Sequence, residues 1–86
     1  IAEHVYTAFE RFLKDNVFPP DDAWRTVAET EWYVVPQDFG VYRANLDIWI
    51  PSEEYGTMHY ELSGLVTFFN AQGNYSVSDF RIEVDC

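Results

Sequence analysis

Basic side chains are scarce in this chain. Five Lys and Arg stand against fifteen Asp and Glu, a formal charge of −10 over 86 residues. Nucleic acids are held by cationic side chains that displace condensed counterions, so this balance argues against direct DNA or RNA binding. It argues equally against docking on an anionic membrane. Cysteine is scarcer still. Cys86 stands alone, which rules out an internal disulfide and any metal site built from several thiolates. With four glycines, Gly40, Gly56, Gly64 and Gly73, no phosphate-cradling Walker or dinucleotide loop can be written. No apolar run approaches the ~18 residues of a membrane span. The opening residues also lack the charged-then-apolar order of a signal peptide. These absences point to a soluble protein and leave its compartment open.

Aromatic residues, in contrast, are abundant: three Trp, six Tyr and seven Phe make 19% of the chain. The length is that of one domain, residues 1–86, and a domain so small needs side chains that bury much area each. The apolar fraction of 48% is that of a globular chain. The excess acid serves solubility in one reading. In another it forms a surface that attracts basic partners or mimics a nucleic-acid backbone.

Residues 1–16 carry an amphipathic helical stripe of Ile1, Val5, Phe9, Phe12 and Leu13, widened by Ala2 and Ala8. Glu3, Thr7, Glu10 and Lys14 form the wet face. Pro19-Pro20 ends the element. Residues 21–28 fit either a short helix capped by an Asp or the start of a strand; residues 29–35 favour a strand through Thr30, Trp32, Tyr33, Val34 and Val35. A turn follows at 36–40. Residues 41–50 are the clearest strand, with Tyr42, Ala44, Leu46, Ile48 and Ile50 alternating with polar neighbours. A loop at 51–56, a strand at 58–69, a turn at 70–74 and a strand at 75–84 complete the chain. Gly64, in mid-strand, predicts a bend or bulge.

The predicted fold class is α+β: one N-terminal helix packed on a curved, four-stranded antiparallel meander. Its core face would set Tyr42, Leu46, Ile48, Leu62, Val66, Phe68, Phe80 and Ile82 against Phe9, Phe12 and Leu13. That order of elements resembles the cystatin-like roll and its NTF2-like branch. Gln37-Asp38-Phe39-Gly40 lacks the spacing and the Val of the Gln-x-Val-x-Gly hairpin of protease-inhibiting cystatins, so inhibition is not carried over. The resemblance implies homodimerisation through the sheets, or a pocket between helix and sheet.

Catalytic signals are weak. Cys86 is poorly placed to pair with His4 or His59, and no nucleophile-elbow sequence occurs. The carboxylate pairs Asp21/Asp22, Glu29/Glu31 and Glu53/Glu54 are what chance supplies among fifteen acids. Asn74-Tyr75-Ser76 matches a glycosylation pattern too short to weigh. Asp47, His59 and Glu61 form a possible polar cluster on one sheet face, where an imidazole and carboxylates could bind a metal or exchange protons. An ordinary polar face is the plainer reading. No metal, cofactor or catalytic residue is therefore assigned.

The face turned away from the helix is the more informative one. Alternation places Tyr33, Trp49, Leu65, Phe69, Tyr75 and Val77 there, rimmed by Glu29, Glu31, Asp47, Glu61, Asp79 and Glu83. A solvated face should be mostly polar, and aromatic residues anchor interfaces. The expectation is a small acidic, non-enzymatic interaction domain that either homodimerises or binds and inhibits a basic partner protein. The alternative is a small-ligand site or enzyme of NTF2-like type, its pocket lined by Tyr6, Trp24, Trp32, Tyr42 and Tyr60.

Overall fold

A computed structural model of the chain describes residues 1–21 and 23–85. Helix α1 spans Ala2–Asn16, a short 3-10 helix spans Ala23–Thr26, and four strands follow: β1 (Glu29–Asp38), β2 (Val41–Ser52), β3 (Gly56–Phe68) and β4 (Tyr75–Asp85). The strands pair antiparallel in chain order, β1-β2-β3-β4, as one open sheet. The α+β class, the single N-terminal helix and the antiparallel meander stand as expected from the sequence.

The helix forms where its stripe can be buried. Val5, Ala8, Phe9 and Leu13 are buried against Ala44, Leu46 and Ile48 of β2 and Leu62 and Val66 of β3. Ile1, expected in that stripe, is 81% exposed, because it precedes the first helical residue. At the other end the amides of Val17 and Phe18 both donate to the Leu13 carbonyl. Pro19-Pro20, with no amide hydrogens, closes the element there. Residues 23–26 take the helical alternative in its shortest form: the Ala23 amide donates to Asp21 Oδ1 at 3.0 Å, and Trp24 lies outside the sheet. The other half of the Asp pair, Asp22, and the lone thiol Cys86 lie outside the described residues.

The first strand runs into the expected turn at 36–40. It passes through Pro36 and ends in an irregularity between Pro36 and Asp38. Pro36 is tolerated because β1 is an edge strand. Phe39 and Gly40 then make the hairpin, with Gly40 at φ +74°. The β3–β4 turn is organised by Asn70, whose Oδ1 accepts the amides of Gln72 and Asn74, both at 3.1 Å.

The feature that most affects the faces is a bulge in β4. Ser63 pairs with Arg81, but Leu65 pairs with Ser78, so Asp79 and Phe80 together face Gly64. One extra residue reverses the alternation. Asp79 takes a left-handed φ of 50° to make room for it. Gly64 sits against this bulge with no side chain: a Cβ there would lie 2.9 Å from Phe9 and 3.1 Å from Val77. The bend signal at Gly64 thus marks a bulge carried by the neighbouring strand.

One expectation is corrected by this register, and a second by exposure. Tyr75 and Val77 pair with Phe68 and Val66 and pack on the core from the helix face, not the outer face. Ile82, expected in the core, lies on the helix face but is 48% exposed. Tyr42, Phe68, Phe80 and Phe12 are half-buried around the centre, with the Phe12 and Phe80 rings 5.6 Å apart.

Candidate functional site

The outer face of the sheet is built by the residues that alternate with the core. Register makes its composition explicit. Glu31 of β1 pairs with Asp47 of β2, Asp47 with Glu61 of β3, and Glu61 with Glu83 of β4. A continuous row of carboxylates therefore crosses all four strands. Directly opposed side chains on neighbouring strands have Cβ atoms about 4.5–5.5 Å apart, and like charges so placed repel. The next row along continues the pattern with Glu29, Trp49, His59 and Asp85.

Within these rows the expected polar cluster assembles. His59 Nε2 lies 3.1 Å from Asp47 Oδ1. The imidazole is stacked on the Trp49 indole, with centroids 4.8 Å apart and planes 4° from parallel. Ligand-type atoms of Asp47, His59 and Glu61 all lie within 4.8 Å of one another, so one nitrogen and two carboxylates could offer a divalent metal three donors. Beside them a depression of about 220 Å³ is lined by Tyr33, Asn45, Asp47, Glu61, Ser63 and Glu83, with Leu62 and Arg81 completing it. Tyr33, at its edge, is 52% exposed.

Not every expected rim or anchor residue joins this surface. Asp79 is taken up at the bulge: Arg43 Nη2 donates to its Oδ2 at 2.8 Å and Arg81 Nε to its Oδ1 at 3.3 Å. The Arg43 hydrogen bond, aided by Arg81, holds its carboxyl below the usual carboxylate range. Two of the five basic residues are thus engaged with Asp79, and one of these two, Arg81, also borders the depression beside the carboxylate row. Among the expected anchors, Tyr33, Trp49 and Leu65 do lie on the outer face. They are separated by polar neighbours: Tyr33 opposes Asn45, Trp49 opposes His59, and Leu65 opposes Arg43. Phe69 follows the end of β3 and is 62% exposed in the turn. The outer face is consequently an acidic surface with isolated aromatic residues, not an aromatic patch with an acidic rim.

The five residues expected around a pocket are distributed along the helix face. Tyr6 and Trp24 line one cleft, and Trp24 and Tyr60 line a neighbouring groove. Trp32 is stacked on Tyr6, centroids 4.5 Å apart. Tyr42 packs elsewhere, 6.3 Å from Phe68, which in turn meets Tyr75. Burial, with a smaller contribution from Glu10, pushes the Tyr6 hydroxyl up to about 12. Sequence reasoning did not find Arg25 or Phe18 here. The Arg25 guanidinium lies 5.4 Å from the Phe18 ring and 5.3 Å from the Trp24 ring. That contact depends on the 3-10 turn bringing residues 24 and 25 back over residue 18, which no periodicity announces.

No helix among the described residues is long and apolar enough to cross a membrane. Compared with protein-family models, curated proteins and solved structures, the chain matches none.

Proposed function

We propose that this is a non-enzymatic interaction domain whose outer sheet face receives a basic segment of a partner protein. The observation that carries this is the carboxylate row Glu31–Asp47–Glu61–Glu83, in register across the whole sheet. A row of mutually repelling charges weakens the fold it sits on, and a cationic side chain laid along it relieves the repulsion. The adjoining depression has room for one Arg or Lys head group. Asp47, Glu61 and Glu83 would accept its hydrogen bonds, and Tyr33 would supply a ring face. The overall charge of −10 adds long-range attraction that speeds encounter.

The same charges weigh against self-association through this face. Stacking two copies outer face to outer face would bring two carboxylate rows together without cations. If the sheet wraps the helix in the manner of a cystatin-like roll, the outer face is left all the more open to a foreign chain.

The test is binding of a labelled Arg-rich peptide to the chain, followed by fluorescence anisotropy. Asp47→Asn, Glu61→Gln and Glu83→Gln combined should weaken binding at least tenfold. Glu3→Gln, Glu53→Gln and Glu54→Gln combined remove the same formal charge from elsewhere and should weaken it far less. Equal losses from both triple variants would reduce the effect to net charge and refute a defined site.

A further inference from the structure

The chain has two histidines, and one of them is built into the sheet beside a pair of acids. Asp47 of β2 and Glu61 of β3 are directly opposed, so their side chains leave the outer face side by side. His59 lies two residues before Glu61 on the same strand, and that spacing returns a side chain to the same face. Its cross-strand partner is Trp49, and the imidazole is stacked on that indole with planes 4° from parallel. The stack fixes the ring, and Nε2 is aimed at Asp47 Oδ1, 3.1 Å away. All three donors are thus held by the two central strands of the sheet, not by a loop.

The charge at this point is not balanced by basic side chains. Arg43 and Arg81 pair with Asp79, and Lys14 pairs with Glu10. Among the described residues no Lys or Arg lies in salt-bridge range of Asp47 or Glu61. The Asp47 and His59 side chains are each 23% exposed, so much of the water that would screen the Asp47 carboxylate is excluded. Glu61 reaches solvent. A divalent cation held between two like charges offsets their repulsion with two attractions.

We infer that Asp47, His59 and Glu61 bind a divalent transition-metal ion of the zinc type. Ligand atoms of all three lie within 4.8 Å of one another. Zinc bonds of about 2.1 Å at the tetrahedral angle set neighbouring ligand atoms about 3.4 Å apart. The Nε2–Oδ1 separation of 3.1 Å is close to that value. The Glu61 carboxylate, on a flexible exposed side chain, closes the remaining distance by rotating about its own bonds. The imidazole decides which metal. Calcium and magnesium take oxygen ligands, whereas one nitrogen with two carboxylates suits zinc and its transition-metal neighbours. Three protein donors leave a fourth position for water. The site shares Asp47 and Glu61 with the surface proposed to receive a basic segment, but it does not rest on that function: a metal needs His59, and a cationic peptide does not.

The test is isothermal titration calorimetry of the untagged full chain with Zn²⁺, compared with Mg²⁺ and Ca²⁺. A single Zn²⁺ should bind, at least tenfold tighter than either hard cation. Equal affinity for the three would reduce the binding to diffuse acidic charge, and no Zn²⁺ binding would remove the site; either overturns the inference. His59→Gln should weaken Zn²⁺ at least tenfold, with circular dichroism verifying the fold. His4→Gln and Cys86→Ser, which remove the other imidazole and the lone thiol, should leave the affinity unchanged. The reverse order would place the metal elsewhere and overturn the inference. Ni²⁺, a paramagnetic quencher, reads the position directly. Bound at His59 it should quench Trp49, so Trp49→Phe should abolish most of the metal-dependent quenching while Zn²⁺ still binds. Quenching that survives in Trp49→Phe overturns the assignment. His59→Gln keeps every carboxylate of the row and should bind the Arg-rich peptide as the parent does, so loss of metal and loss of peptide are separable.

Discussion

The two faces of the sheet are made by alternate residues of the same strands, yet they do opposite things. The helix face has a fully apolar buried centre, with no polar or charged residue buried among the described residues. The outer face carries Glu31, Asp47, Glu61 and Glu83 in a single transverse row, with one imidazole beside it. Apolar burial on one side supplies the stability, and charge repulsion on the other draws it down. The comparison teaches that the outer face is not optimised for the isolated fold. Its carboxylate row is what the proposed basic partner would relieve, whereas the helix face is covered where α1 lies and partly open beyond it.

The contrast can be broken most severely at its stable side. Phe9 is fully buried between α1 and the sheet. Phe9→Ala should destabilise the domain by about 3–5 kcal/mol, through lost burial and the cavity left behind. Urea denaturation checks this, and a loss under about 1 kcal/mol would mean that α1 is not what holds the sheet. Gly64→Ala should cost about 1–3 kcal/mol by overpacking, since the added methyl would meet Phe9 and Val77. Relief of that cost by Val77→Ala in the same chain would locate the clash at the bulge.

The outer face predicts the reverse sign. Glu61 is opposed by acids on both neighbouring strands. Glu61→Gln should stabilise the fold by about 0.2–1 kcal/mol while weakening the Arg-rich peptide. The gain should shrink as salt is raised, because screening already removes the repulsion from the parent. A destabilised Glu61→Gln variant would contradict the picture of a strained row.

The smallest effect expected is on the helix face, at Tyr6. Its hydroxyl is raised from 10.0 to about 12, so the folded state favours the neutral phenol. The stability this contributes is fully present below pH 10.0 and is lost as pH rises through about 12. An ultraviolet absorbance titration should show one tyrosine ionising late, and Tyr6→Phe should remove that phase alone. Ionisation of all six tyrosines together near their ordinary value would place Tyr6 in water instead.

Much of the fold was legible because period and punctuation agree. The Val5–Phe9–Leu13 stripe, the Pro19-Pro20 stop and the alternation from Tyr42 to Ile50 each have a local cause. The bulge had none that could be read in advance. Tyr75 and Val77 share parity with Asp79 and Arg81, and only a residue count against β3 reveals that the extra residue sends them to the other face. The candidate site was legible in part for the same reason. The Asp47, His59 and Glu61 cluster needs only correct pairing of β2 with β3, which a short loop enforces. The full carboxylate row needs four strands in register, and the engagement of Asp79 by Arg43 needs the bulge itself.

The sequence by itself determined the class of the protein. It did so through nearest-neighbour effects: which residues face one side of an element, where backbone amides are missing, and how far acids outnumber bases. The tertiary structure decided what each face offers. Register across strands, the turn that lays Arg25 over Phe18 and Trp24, and the length of α1 relative to the strands are relations between residues far apart in the chain. They follow from how the packed elements fit together, and no local pattern encodes that fit.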